Sequence, residues 1–198
     1  MGLEWNYIEG QTPINEEEKD GLKISSIALQ KELDEMEQYN IEKAVKWTFG
    51  KRFSTDRILS EAFVKNLHKR MFGEVWNWAG KFRKSNKNIG IDWTQISIEV
   101  NKLLGDTTFW IENNTYEPQE IAIRCKHCLV SIHCFPNGNG RHSRLLADVM
   151  MESIFDQEPF TWGQTNLVKA NETRKMYIKA LQKADAGDIS PLLDFANS

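Results

Sequence analysis

Residues 133–144 read HCFPNGNGRHSR and run straight into the apolar segment LLADVMMESIF at 145–155. A turn needs one or two glycines or asparagines; this loop has two of each, with two arginines behind them. Gly138 and Gly140 allow positive φ and close backbone approach, and Asn137 and Asn139 tolerate the left-handed region as well. Such a run can aim several successive N–H groups at one point and so form an anion nest. A helix starting near Arg141 adds its N-terminal donors and dipole. Arg141 and Arg144 are three apart and share a face on its first turn, where two cations repel each other and the helix end. A phosphate group would offset that repulsion through bidentate hydrogen bonds. His133 ends the preceding apolar stretch, where a neutral imidazole can act as a general base on a hydroxyl. From the residues alone two readings stand: phosphate binding beside a base, or a surface loop with a capping asparagine and solvent-facing arginines. The stretch is neither a Walker loop nor a dinucleotide fingerprint.

Around this loop the chain has the composition of one ordinary domain: 198 residues, 40% apolar, 27% charged, seven tryptophans and a net charge of −3. That balance argues against a disordered chain and against a general nucleic-acid binder, which carries a basic excess. The short basic run KFRKSNK (81–87) is the one local exception. No apolar run reaches membrane-spanning length, and MGLEWNYIEGQ lacks the basic start and apolar core of a signal peptide. The expectation is a cytoplasmic protein with no membrane or nucleic-acid partner. Cys125, Cys128 and Cys134 are an odd number crowded into ten residues, which fits reduced thiols better than a disulfide framework. All three fall on or just after the apolar stretch RCKHCLVSIH, so buried small side chains explain them better than zinc.

Apolar spacing of three and four predicts helices over about Leu29–Phe49, over a segment capped by Ser54 or Thr55 and ending before Gly73, over Gln95–Glu112, over Pro118–Ile132, from the loop to Phe155, over Asn166–Ala184, and after Ser190-Pro191. Between them, WNWAGKFRKSNKNIGIDWT (76–94) is short, basic and glycine-containing, and predicts an irregular loop with a short hairpin. The fold class is therefore all-α with one small β excursion. Residues 1–27 form a polar N-terminal extension and 28–198 the domain.

With these residues in view, HCFPNGNGRHSR resembles the signature of the Fic (filamentation induced by cAMP) family, His-Pro-Phe-x-Asp/Glu-Gly-Asn-Gly-Arg-x-x-Arg. His133, Phe135, Gly138, Asn139, Gly140, Arg141 and Arg144 match it. WNWAGKFR (76–83) is similar to the stretch leading to the family's flap, and ALQKADAGDISPLLDF (180–195) to its C-terminal end. With GQTPI near residue 10, the chain looks most like the small members called mobile mystery protein B. The resemblance implies a Fic-fold helical bundle with a short β-hairpin flap. It implies an adenylyltransferase (AMPylator) moving AMP from ATP to a Ser, Thr or Tyr hydroxyl of a target protein, with Mg²⁺. His133 would be the base, and Phe135 would anchor the loop in the core. Asn137, Gly138, Asn139 and Gly140 would bind phosphates with Arg141 and Arg144. The flap, Lys84, Ser85, Asn86, Lys87, Asn88, Ile89, Gly90 and Ile91, would pair with the target as an added strand.

Two departures bear on the chemistry. Cys134 replaces the family's proline, and Asn137 replaces the Asp/Glu that binds the metal. An amide oxygen is a hard ligand without charge, so Asn137 is the weak metal candidate. The Doc branch, with lysine there, transfers phosphate, so a phosphotransferase or other-nucleotide transferase is one alternative and a non-catalytic interaction module another. Family members are often restrained by a glutamate in Ser/Thr-x-x-x-Glu-Gly/Asn that pairs with the second motif arginine. Glu9 in WNYIEG is the candidate here, although Trp5 stands where Ser or Thr belongs. A separate antitoxin-like regulator protein is the other route.

Overall fold

A computed structural model describes residues 14–163 and 170–198. Glu9 lies outside the described residues. Among them the α-helices are α1 (Glu16–Lys19), α2 (Gln30–Phe49), α3 (Thr55–Ile58), α4 (Glu61–Phe72), α5 (Ile96–Glu112), α6 (Pro118–Ile132), α7 (Asn139–Ser153), α8 (Ala170–Asp185) and α9 (Ser190–Ala196). A 3-10 turn, Trp93–Gln95, leads into α5.

The periodic segments fold as expected where they are described, with one break; the start of the helix expected over Asn166–Ala184 lies outside the described residues, and α8 is described from Ala170. Leu59 leaves helical geometry, and the Ser60 hydroxyl caps a new start by accepting from Phe63 N–H at 3.1 Å. One expected helix thus becomes α3 and α4. At the start of α2, Leu29 has no polar side chain to cap with; Glu32 reaches back to the N–H groups of Ala28 and Leu29, satisfying two orphan donors. Pro118 sits in the first turn of α6, where its missing N–H costs nothing.

Helix α7 is the central element, packed against α2, α3, α4 and α6. Its side chains Leu146, Met150 and Met151 are fully buried in the same core as Val64, Leu67 and Met71 of α4 and Ala122 and Ile123 of α6. Each such side chain stabilises by roughly 1.5–3 kcal/mol. A motif at the start of this helix is therefore held by the whole core.

The stretch 76–94 is irregular, as expected, but residues 84–91 carry bends and turns with no β-ladder, so the expected short hairpin is not seen as a strand pair. The one isolated bridge among the described residues joins Leu22 to Trp76. Lys23 N–H donates to Val75 O at 2.8 Å and Asn77 N–H to Gly21 O at 2.9 Å. Trp78 Nε1–H donates to Glu18 O at 3.0 Å. Residues 15–24 thus lie against WNWAG rather than trailing free. Trp76 and Trp78 are core residues; Trp93 is 42% exposed.

Candidate active site

The loop 133–140 is held from three sides. His133 ends α6 in the left-handed region, at φ 55° and ψ 57°, a conformation that strains a non-glycine residue. Asn139 is buried, and its side chain closes a ring on Phe135: Oδ1 accepts from Phe135 N–H at 2.9 Å and Nδ2 donates to Phe135 O at 2.8 Å. Phe135 itself is fully buried. It stacks on His68 at 3.7 Å and meets Phe82 and His142 at 5.5 and 5.1 Å. Gly138 has φ +79°, and a Cβ there would lie 2.6 Å from the Phe72 ring; only glycine fits.

His68 of α4 is buried and organises the loop. Gly80 N–H donates to its Nδ1 at 3.0 Å, so the proton sits on Nε2, which donates to Asn137 O at 3.0 Å. Burial drives its pKa well below the ordinary value, with His142 and Arg141 adding to the effect. His142, which follows the first motif arginine, is buried and bonds Val64 O through Nε2 at 2.9 Å. It is a core residue.

The His133 ring is 5% exposed. Its pKa falls to about 4, first through burial and then through the charges of Arg83 and Lys87. It is neutral at pH 7, but a base that weak is poorly matched to neutral-pH proton transfer. The cover is the segment 84–91. Gly90, at φ +90°, lies so close that a Cβ there would fall 2.6 Å from His133 Cβ and 2.9 Å from Ile132 O.

Arg83, which is not among the expected site residues, fastens this cover. Its Nε donates to His133 O at 2.7 Å, its Nη1 to Ser85 O at 2.7 Å and its Nη2 to Ile91 O. Its backbone N–H donates to Cys134 O at 3.0 Å. One buried guanidinium thus joins both ends of the segment to the turn at His133. At the tip, Lys87 pairs with Glu18 of α1 in a nearly buried ion pair.

Around the start of α7 the two arginines differ. Arg141 Nη1 lies 2.7 Å from Glu37 Oε2 of α2, while Trp76 Nε1–H donates to Glu37 Oε1 at 2.6 Å. Glu37 is buried. It was legible as a polar residue on the inward α2 face, in step with Leu33, Asn40 and Ala44. Arg144 has no carboxylate within salt-bridge distance among the described residues; its Nε lies 3.4 Å from Gly140 O. Asn137 Oδ1 accepts from Gly138 N–H at 2.6 Å. No group of three His, Cys, Asp or Glu that could hold a metal occurs among the described residues. The side chains here do not make a Mg²⁺ site by themselves. Burial pushes the Cys125 thiol up to about 12 and raises that of Cys134 further, so both stay protonated. His127 pairs with Asp185 at 2.8 Å.

A helical bundle that sets a histidine just ahead of a glycine-rich helix start bearing two arginines defines the Fic class of domain, and residues 58–151 match the model of the Fic/DOC family. The chain belongs to that family. It is 24% identical over 193 residues to the protein adenylyltransferase Fic of Aedes aegypti, covering 95% of this chain and 37% of that protein. It is 30% identical over 138 residues to the protein adenylyltransferase fic-1 of Caenorhabditis elegans, covering 67% of this chain and 25% of that one. The chain therefore spans well under half the length of these relatives. The N-terminal Fic domain of a Bartonella quintana effector, solved with bound ADP, superposes with a TM-score of 0.62 at 18% identity, over 87% of this chain and 86% of that one.

Proposed function

We propose that the chain is a protein adenylyltransferase that moves AMP from ATP to a Ser, Thr or Tyr hydroxyl of a target protein. The observation that carries this is the placing of a neutral imidazole, His133, next to a glycine-containing turn whose helix, starting at Asn139, brings Arg141 to its first turn and Arg144 to its second. The naming of the relatives as protein adenylyltransferases supports it. His133 takes the proton of the target hydroxyl. The hydroxyl oxygen bonds to the α-phosphorus, the bond from that phosphorus to the bridging oxygen breaks, and pyrophosphate leaves. The backbone of 137–140 and the α7 N-terminus hold the phosphates, with Arg141 and Arg144 on the outer ones.

Mg²⁺ belongs to this reading as a counter-ion of the phosphates, with Asn137 Oδ1 as a single neutral ligand. The segment 84–91 is the docking strand for the target. It must lift from His133 first, so restraint is part of the reading, whether through this cover, through Glu9 or through a separate regulator protein. A cytoplasmic target fits.

The test is labelling of host lysate with ATP carrying ³²P at the α position, by wild type and by His133→Ala. Label that appears with wild type and vanishes with the variant is the expected result. Label transferred from the γ position instead would make the protein a phosphotransferase, the alternative that the neutral Asn137 leaves open. Nucleotide binding without transfer of either label would leave an interaction module.

A further inference from the structure

The two motif arginines divide the charge problem at the start of α7 unequally. Glu37 meets Arg141, and among the described residues no carboxylate lies within salt-bridge distance of Arg144. Near Arg144 stand two more donors that the Fic signature does not contain. The Tyr177 ring of α8 lies 5.4 Å from Arg144 Cζ and 4.4 Å from Lys126 Nζ of α6. The Tyr177 hydroxyl is buried without a hydrogen-bond partner and lies 3.9 Å from where a Cβ on Gly140 would be. It therefore sits against the first turn of α7. Lys126 is 1% exposed, and its Nζ is likewise buried with no partner.

The nearby acids are engaged elsewhere. Asp148 accepts from Trp162 Nε1–H at 2.9 Å and Phe160 N–H at 3.2 Å, and Asp185 holds His127. A buried donor without an acceptor costs about 1–3 kcal/mol, and more for a charged group. Packing does not explain two of them gathered beside one arginine. A group with several anionic oxygens would satisfy them together.

We propose that Lys126 and Tyr177 complete, with Arg144, a site for the terminal phosphate of a nucleoside triphosphate. The proposal rests on the nucleotide reading above and extends it to residues outside the motif. It makes the site discriminate ATP from ADP.

The test is calorimetric binding of ATP, ADP and inorganic triphosphate to the full chain, as wild type, Lys126→Met and Tyr177→Phe. Each variant should lose about tenfold in ATP affinity, one charge-assisted hydrogen bond's worth, while ADP binding changes little. The apo Lys126→Met protein should melt at or above the wild-type temperature, since it loses a buried amine that has no partner. Should Lys126→Met fail to fold, Tyr177→Phe decides alone, because it removes one oxygen and keeps the ring. A wild-type ratio of ATP to ADP affinity in the folded variants overturns this proposal and leaves the nucleotide reading standing. Wild type binding triphosphate but not ATP overturns the nucleotide as ligand and keeps the donor set. Binding of neither overturns both.

Discussion

Substituting Gly90 by alanine should uncover His133 and restore its basicity. The new methyl would stand 2.6 Å from His133 Cβ and 2.9 Å from the Ile132 carbonyl, at a φ of +90°. Neither neighbour is the movable end of a side chain, so the segment 84–91 must shift. The left-handed backbone adds about 1–2 kcal/mol against alanine. The consequence follows from linkage. Closure lowers the His133 pKa from 6.5 to about 4, so closure favours the neutral ring over the charged one by roughly 3 kcal/mol at 1.36 kcal/mol per unit. Loosening the cover removes the burial and withdraws the Lys87 ammonium. The His133 ring proton, followed by NMR across pH 3.5–8, should then titrate above about 5.5 in the variant. In wild type it should titrate near 4. Reaction with a histidine-modifying reagent should quicken in parallel. Circular dichroism should stay wild-type, because the segment lies on the surface of the core. If the variant's ring titrates where the wild type's does, segment 84–91 is not what depresses His133.

Other expectations concern the frame of the site. Replacing Arg83 by methionine removes three side-chain hydrogen bonds, about 3 kcal/mol in sum, and should lower Tm by about 6–12 °C in a scanning calorimeter; a drop under about 2 °C would show the clamp to be idle. Alanine at Gly138, where φ is +79° and the Phe72 ring lies 2.6 Å away, should abolish ATP binding measured by calorimetry and lower stability. His142 should make the fold acid-sensitive. Its pKa is about 4 in the folded chain against an ordinary 6.5, so the unfolded chain binds the proton first and stability is lost as pH falls from 6.5 towards 4. At pH 5 the loss is about 2 kcal/mol. Asp148, raised to about 7 by burial, acts in the opposite direction, but it is common to wild type and to His142→Asn. Denaturant titrations at pH 7.5 and pH 5 should therefore show the stability gap between those two proteins shrinking by about 2 kcal/mol on acidification. A constant gap would mean the ring is not neutral when folded.

The sequence by itself determined the helices and the motif. Spacing of three and four placed α2, α5 and α6 nearly to the residue, and the glycines and asparagines of 137–140 announced a loop with unusual backbone geometry. Both are local signals, carried by residues within a turn or two of one another. Where local signals competed, the reading missed: the apolar rhythm ran through Ser60, whose hydroxyl in fact restarts the helix, and the β-branched residues near Gly90 pointed to a hairpin that is not formed as a ladder. The partnerships needed the tertiary structure. Arg83 over His133, His68 under Asn137, Glu37 against Arg141, and Lys126 with Tyr177 beside Arg144 join residues far apart in the chain. No periodicity reports them. A hydrogen bond or an unmet charge depends on which faces the core brings together, and that is decided only when α2, α4, α6 and α8 have packed around the motif.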